Sequence, residues 1–188
     1  MKQDIGKILS SGGVGVLPTD TIYGVVGLAM SKKAVVRIYK LRKRNPQKPL
    51  IILISSLRDL KLFNIRLNRE TKKLLEKLWP GKVSVILPCA DKKFKYLHRG
   101  TKTLAFRLPK KKDLIRLLKK TGSLVAPSAN WEGYPSAKTI IEAKKYFGNK
   151  ADFYVDAGKL ESPPSTLIEI KNGRPILLRR GAWSPFKF

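Results

Sequence analysis

Residues 123–136 read Ser123-Leu-Val-Ala-Pro-Ser-Ala-Asn-Trp-Glu-Gly-Tyr-Pro-Ser136. Leu124, Val125 and Ala126 form a short apolar run that suits a buried strand. Pro127 has no N–H to donate and ends the ladder. Ser128, Ala129 and Asn130 follow, small or polar residues that leave room against the backbone. Gly133 and Pro135 turn the chain, and Ser136 stands where an N-cap is expected before a helix over 137–147. A strand end, a hydroxyl-bearing loop and a helix N-terminus predict an anion site at the carboxyl edge of an α/β sheet. Such a site calls for cations.

The chain is rich in them. Forty Lys and Arg against thirteen Asp and Glu give a net charge of +27. A field of that size attracts polyanions, whether nucleic acid or phosphorylated ligands, and speeds their encounter at low salt. Pairs such as Lys32-Lys33, Lys72-Lys73 and Lys144-Lys145 fall on expected helix exteriors, so most lysines serve the solvated surface. A chain of 188 residues suits one domain, 1–188, that buries roughly 70% of its unfolded surface. No apolar run of about 18 residues predicts a membrane span, and the first residues lack the apolar segment of a signal peptide. One cysteine, Cys89, leaves no internal disulfide and no multi-cysteine metal site. The expectation is a cytoplasmic enzyme or binder without a membrane partner.

Strand signals occur at 14–17, 50–54, 83–87, 103–108, 124–126 and 152–155. Helical spacing appears at 31–43, 56–63, 69–78, around 114–118 and at 137–147. Gly122 terminates the helix before it, and Trp79-Pro-Gly81 breaks another. The C-terminal pattern is a hairpin, with Asn172-Gly173 as a type I′ turn between 166–170 and 175–178. Strands alternating with helices, plus a hairpin, predict a single α/β domain built on a twisted mixed β-sheet with flanking helices.

Familiar nucleotide motifs are missing: neither a Gly-x4-Gly-Lys-Ser/Thr loop nor a Gly-x-Gly-x-x-Gly fingerprint occurs. His98, the single histidine, sits among polar residues of a lysine-rich connection at 91–102 and is expected to be a solvated loop residue. A Ser-His-Asp hydrolase therefore has little support. Polar groups cluster instead where predicted strands end. Thr19, Asp20, Thr21 and Tyr23 follow the first, Arg42, Arg44 and Lys48 precede the second, and Ser165 and Arg179 flank the hairpin. Arg107 lies within an apolar strand, where a buried guanidinium would demand an anionic partner and strict alternation would instead face it to solvent. Arg42 and Arg44 would merely complement a helix macrodipole. With Lys48 at the mouth of the next strand they would also form a triphosphate clamp, the planar guanidinium suiting phosphate oxygens.

In order along nearly the whole chain stand Pro18-Thr-Asp-Thr-Ile-Tyr-Gly24, Arg42-Lys-Arg44 with Lys48-Pro-Leu50, and Trp79-Pro-Gly81. Phe106-Arg-Leu-Pro109, Pro127-Ser-Ala-Asn130 with Gly133, Pro164-Ser-Thr166 and Leu178-Arg179 complete the series. This series resembles the YrdC-like family of threonylcarbamoyl-AMP synthases, in its short, single-domain form. Two positions depart from the family pattern: Arg42 stands for the usual lysine, and Lys82 for the proline that commonly follows Trp-Pro-Gly.

The resemblance implies an open α/β fold with a concave basic face. It also implies synthesis of threonylcarbamoyl-AMP and pyrophosphate from L-threonine, bicarbonate and ATP, for the threonylcarbamoyl modification of adenosine 37 in tRNA. By motif, Arg42, Arg44 and Lys48 would be catalytic, with Arg44, Lys48, Thr103, Ser128, Ser136 and Arg179 binding ATP. Thr21, Arg107 and Ser165 would bind threonine, and Tyr23, Ala126 and Asn130 lie in the same motifs. Ser128 and the three cations would form facing walls around the triphosphate. A pocket that reads the threonine hydroxyl would reject valine more strongly than serine. Mg²⁺ would be held mainly by ATP phosphates, with no dedicated protein ligands. Expected partners are tRNA or double-stranded RNA and a threonylcarbamoyl-transferase complex that uses the product. Two alternatives remain open: an RNA-binding module without catalysis, which would show steep salt dependence and no pyrophosphate release, and a fold-related carbamoyl-transfer enzyme.

Overall fold

The computed structural model describes residues 4–171 and 173–183. In chain order the elements are α1 (Ile5–Ser10), β1 (Gly15–Pro18), β2 (Tyr23–Leu28), α2 (Lys32–Leu41), β3 (Ile51–Leu53), a 3₁₀ segment (Leu57–Phe63) and α3 (Arg69–Leu78). They continue with β4 (Val83–Pro88), a 3₁₀ turn (Lys92–Phe94), α4 (Lys95–His98), β5 (Thr103–Arg107), α5 (Lys112–Thr121) and β6 (Leu124–Val125). The last are α6 (Ile140–Phe147), β7 (Phe153–Tyr154), β8 (Thr166–Lys171) and β9 (Arg174–Arg179). The type I′ turn expected at 172–173 depends on Asn172, which lies outside the described residues.

The strands join in one mixed sheet, ordered β7-β1-β2-β6-β3-β5-β4-β8-β9. β3 and β5, β4 and β8, and β1 and β7 pair parallel; the other neighbours are antiparallel. Alternation of side chains sends Val25, Val125, Ile52, Phe106, Val85 and Ile168 to one face. That face is covered by α2, α3, α4 and α6 through residues such as Ile38, Leu75, Leu97 and Ala143. On the other face α1 and α5 bring Leu9, Leu114 and Leu118 over Leu17, Val26, Leu53, Leu124 and Phe153. Beyond them Ala105, Thr103 and Ile86 are only half-buried, a part of the sheet that α1 and α5 leave uncovered.

Local chemistry fixes the helices. Ser31 caps α2 by accepting from Ala34 N–H at 3.2 Å, and Ala34, Val35 and Ile38 form its buried stripe. α3 ends at Leu78, because Trp79 is extended and its indole N–H donates to Val83 O at 2.8 Å. None of the described helices is long and apolar enough to cross a membrane.

Three expectations are corrected. Residues 23–28 form β2, which carries Val25 and Val26 into the two cores, so the motif around Thr21 is the turn of a β1–β2 hairpin. Ser136 does not cap a helix. α6 starts at Ile140, its cap Thr139 accepts from Glu142 N–H at 3.2 Å, and Glu142 Oε2 accepts from Lys138 N–H at 2.8 Å. His98 is buried rather than solvated, with 5% exposure, because the 91–102 connection coils inward on Phe94 and Leu97. Its Nδ1 accepts from Gly100 N–H at 3.1 Å, which fixes the ring within the loop.

Candidate active site

Arg107 ends β5, and its side chain is 4% exposed. The strand's alternation places Thr103, Ala105 and Arg107 on the uncovered face, so Arg107 is buried by the loops around it rather than by the core. Its Nη1 donates to Thr21 Oγ1 at 3.0 Å, and its Nη2 lies 3.3 Å from Asp20 Oδ1. The second contact is a charge pair without hydrogen-bond alignment, since Asp20 Oδ1 and Arg107 Nε both lack a hydrogen-bond partner among the described residues. Burial pulls the Arg107 pKa below its ordinary value; Asp20 opposes the shift and Arg179 adds to it.

Thr21 is oriented in turn by Thr19, whose hydroxyl lies 3.1 Å from Thr21 Oγ1 and donates to Ile22 O at 2.7 Å. Across the cleft Ser165 is buried, with its hydroxyl 2.8 Å from Ser84 Oγ. Arg179 Nη2 donates to Ser165 O at 2.8 Å. Burial lowers the Arg179 pKa, and Arg44 lowers it further. Arg44 thus repels Arg179, and Arg179 repels Arg107, an arrangement that an anion relieves.

Thr19, Thr21, Arg107, Ser165 and Arg179 line a cleft of about 130 Å³ together with Gly24, Ile51, Ala126, Ser128 and Ser136. A larger hollow of about 930 Å³ between the 57–63 segment and α3 is lined by Arg58, Lys61, Arg66 and Lys72, and contains none of the residues singled out by motif.

The phosphate-side cations behave differently from expectation. Arg42, the C-cap of α2, is 2% exposed. Its Nε donates to Asn130 O, and its Nη2 to Ser128 Oγ and Asn130 Oδ1, each at 3.1 Å. Arg42 and Ser128 therefore form one wall, not two facing ones. Desolvation lowers the Arg42 pKa to about 10, with Arg44 adding to the effect and Glu132 opposing it. Arg44 folds its own loop by donating to Lys48 O at 3.3 Å and Pro49 O at 3.1 Å. Lys48 Nζ is held by Glu132 Oε1 at 2.8 Å.

A family model for Sua5/YciO/YrdC proteins, described as "Telomere recombination", matches residues 7–181. The chain belongs to the Sua5/YciO/YrdC family. It is 31% identical over 166 residues to the threonylcarbamoyl-AMP synthase of Pyrococcus abyssi, covering 87% of this chain and 49% of that one. Against the threonylcarbamoyl-AMP synthase of Nitrosococcus oceani it is 30% identical, covering 89% and 90% of the two chains. The structure of P. abyssi Sua5 complexed with L-threonine superposes with a TM-score of 0.86 at 29% identity, over 94% of this chain and 52% of that one. The chain thus spans about half the length of the P. abyssi relative.

In this Sua5/YciO/YrdC domain the cleft brings together Thr21, Arg107, Ala126, Ser128, Ser136, Ser165 and Arg179. Thr103 lies outside it, at the opposite end of β5 where its hydroxyl donates to Thr101 Oγ1 at 3.1 Å. Four steps of ~3.3 Å along the strand separate it from Arg107. Tyr23 belongs to the core face: its hydroxyl donates to Gly158 O at 2.8 Å and accepts from Ala157 N–H at 2.8 Å. Asn130 is a loop organiser, with its amide N–H₂ on Trp131 O and Tyr134 O. Sequence reasoning missed Ser84, Asp20 as the partner of Arg107, and Glu132. A search for cations alone passes over the carboxylates that hold them.

Gly181 marks how tightly the Ser165 segment is packed. A Cβ there would lie 2.2 Å from Pro164 O and 2.5 Å from Thr166 N. Gly181→Ala is expected to lower stability by about 1–3 kcal/mol through overpacking. Threonine affinity should fall with it, because the displaced backbone carries Ser165. Denaturant melts beside threonine titrations check both.

Proposed function

We propose that this domain makes threonylcarbamoyl-AMP and pyrophosphate from L-threonine, bicarbonate and ATP. The observation that carries the reading is the buried Arg107, bonded to Thr21 and facing Ser165 at the centre of the cleft. A desolvated guanidinium with an adjacent hydroxyl is a fitting receptor for an α-carboxylate and a β-hydroxyl. The relatives named threonylcarbamoyl-AMP synthase and the threonine complex of P. abyssi Sua5 support the same substrate.

The chemistry follows from this placement. Arg107 would hold the carboxylate while the threonine amine nitrogen attacks the bicarbonate carbon, losing water to form a carbamate. A carbamate oxygen would then attack the ATP α-phosphorus, and the bond to the bridging oxygen of pyrophosphate would break. Carbamate and triphosphate are both anions, so the barrier contains their repulsion. Arg44, Lys48 and Arg179 would neutralise it, and the enclosed cleft would shield the labile carbamate from water. No His, Cys or carboxylate reaches the reacting atoms in this scheme, which works by positioning and charge.

Among the described residues no three His, Cys, Asp or Glu side chains converge, and the carboxylate nearest the cleft, Asp20, is engaged by Arg107. A Mg²⁺ ion would accordingly be carried on ATP phosphate oxygens, supplying charge neutralisation there. The product would pass to a threonylcarbamoyl-transferase complex for adenosine 37 of tRNA, in the cytoplasm, and the +27 charge supports approach to tRNA. The test is pyrophosphate release with ATP, Mg²⁺, threonine and bicarbonate, each omitted in turn. Release that persists without threonine or bicarbonate sinks the proposal.

A further inference from the structure

Glu132 is the single acidic residue of the 123–136 stretch, and it ties that loop to the 42–48 loop. Its own N–H donates to Arg42 O at 2.9 Å. Its carboxylate divides its labour: Oε2 accepts from Asn45 N–H at 2.5 Å, and Oε1 holds Lys48 Nζ at 2.8 Å. Arg44 Nη1 lies 4.0 Å from the same Oε1. The Asn45 N–H, then Lys48, hold the Glu132 carboxyl below its ordinary pKa, so it is ionised at neutral pH. Two of the cations assigned to the ATP phosphates are thus shared with an internal anion.

A carboxylate oxygen and a phosphate oxygen ask the same of an ammonium group, and two anions at one cation repel each other. We infer that Glu132 is a built-in competitor for polyphosphate: it occupies Lys48 when the site is free, yields it to the triphosphate, and retakes it as pyrophosphate leaves. The inference rests on the assignment of Lys48 and Arg44 to phosphate. The group acts through Lys48 and touches no reacting atom, so it tunes release without taking part in bond making. A fixed anion 2.8 Å from the cation keeps pyrophosphate from becoming a trapped product.

Glu132→Gln separates this role from a mere tether, because the amide oxygen still accepts from Asn45 N–H while the charge is gone. Lys48 is well exposed, so the charge is worth a modest amount, and calorimetry is expected to show inorganic pyrophosphate and tripolyphosphate bound about 3- to 5-fold tighter. AMP, which lacks the β- and γ-phosphates that the inference places at Lys48, is expected to bind as before. In a Lys48→Met background the gain from Glu132→Gln should vanish. Should the glutamine variant fail to fold, Glu132→Ala in the wild-type and Lys48→Met backgrounds removes the charge, and the Lys48-dependent part of the gain is the readout. Equal or weaker pyrophosphate binding in the variant, a gain that survives Lys48→Met, or no binding of either inorganic probe overturns the inference. These titrations involve no turnover, so they stand apart from the proposed reaction: a protein that binds pyrophosphate as described but never releases it from ATP contradicts the synthase reading alone.

Discussion

Arg107→Met is expected to cut kcat/KM for threonine by about 10²–10³, the loss that follows when one partner of a buried, hydrogen-bonded charge pair is removed. The same substitution should destabilise the fold. Asp20, whose side chain is 6% exposed, would be left in a desolvated place with its cation gone. An uncompensated charge of that kind costs about 3–5 kcal/mol. Each effect mimics the other in a simple assay, because an unfolded fraction is also inactive. The double variant Asp20→Asn/Arg107→Met removes the stranded carboxylate and should recover most of the stability in urea melts. Threonine-dependent pyrophosphate release should not recover. Activity returning with stability would show that Arg107 serves the fold alone; full threonine affinity in Arg107→Met would remove it from the carboxylate role.

How Arg107 comes to be buried illustrates what the sequence could carry. Alternation along 103–107 places it opposite Leu104 and Phe106, and that much is legible. Whether its face meets water is decided by α1 and α5 covering only part of the sheet, and by the 18–24 and 164–181 segments closing over the rest. Those are long-range facts that a periodicity cannot hold. The 124–130 stretch was readable because apolar run, proline and small polar residues change over within a few positions. β2 was hidden by its motif: Tyr23-Gly-Val-Val-Gly-Leu28 has the apolar content of a strand, but the preceding Pro-Thr-Asp-Thr draws the whole segment into a loop reading. The start of α6 was legible in principle, since Thr139-x-x-Glu142 is a capping pattern that outranks Ser136, which has a proline before it and no acidic residue three positions on. His98 shows the reverse failure. Its chain neighbours are polar, and its burial follows from the coil of 92–98, which sequence polarity does not announce.

Arg42 leads to the other large effect, and here stability and binding should part. The guanidinium is buried, its hydrogen-bond acceptors among the described residues are all uncharged, and desolvation lowers its pKa to about 10. A cation whose native pKa lies below its unfolded value costs stability at neutral pH; the cost is full below pH 10 and is relieved as pH rises past it. That shift corresponds to about 3 kcal/mol. Opposing it are the hydrogen bonds to Asn130 O, Asn130 Oδ1 and Ser128 Oγ, each worth about 1 kcal/mol net. The two nearly cancel. Arg42→Met should therefore change the unfolding free energy by no more than about 2 kcal/mol at pH 7. Relative to the variant, the native protein should gain stability between pH 9 and pH 11. ATP binding has no such cancellation. Nη1 has no partner among the described residues, and a single charged hydrogen bond from it to phosphate is worth about 1.5–3 kcal/mol, or roughly 10- to 150-fold in affinity. A triphosphate also removes the desolvation cost that Arg42 carries in the free protein. Arg42→Lys should restore charge but not the planar contacts to Ser128 and Asn130, recovering part of the affinity and none of the loop's order. Calorimetric ATP titrations beside urea melts of the three proteins decide the matter: affinity unchanged in Arg42→Met, or a stability loss well above 2 kcal/mol, would make Arg42 a pillar of the 128–136 loop and nothing more.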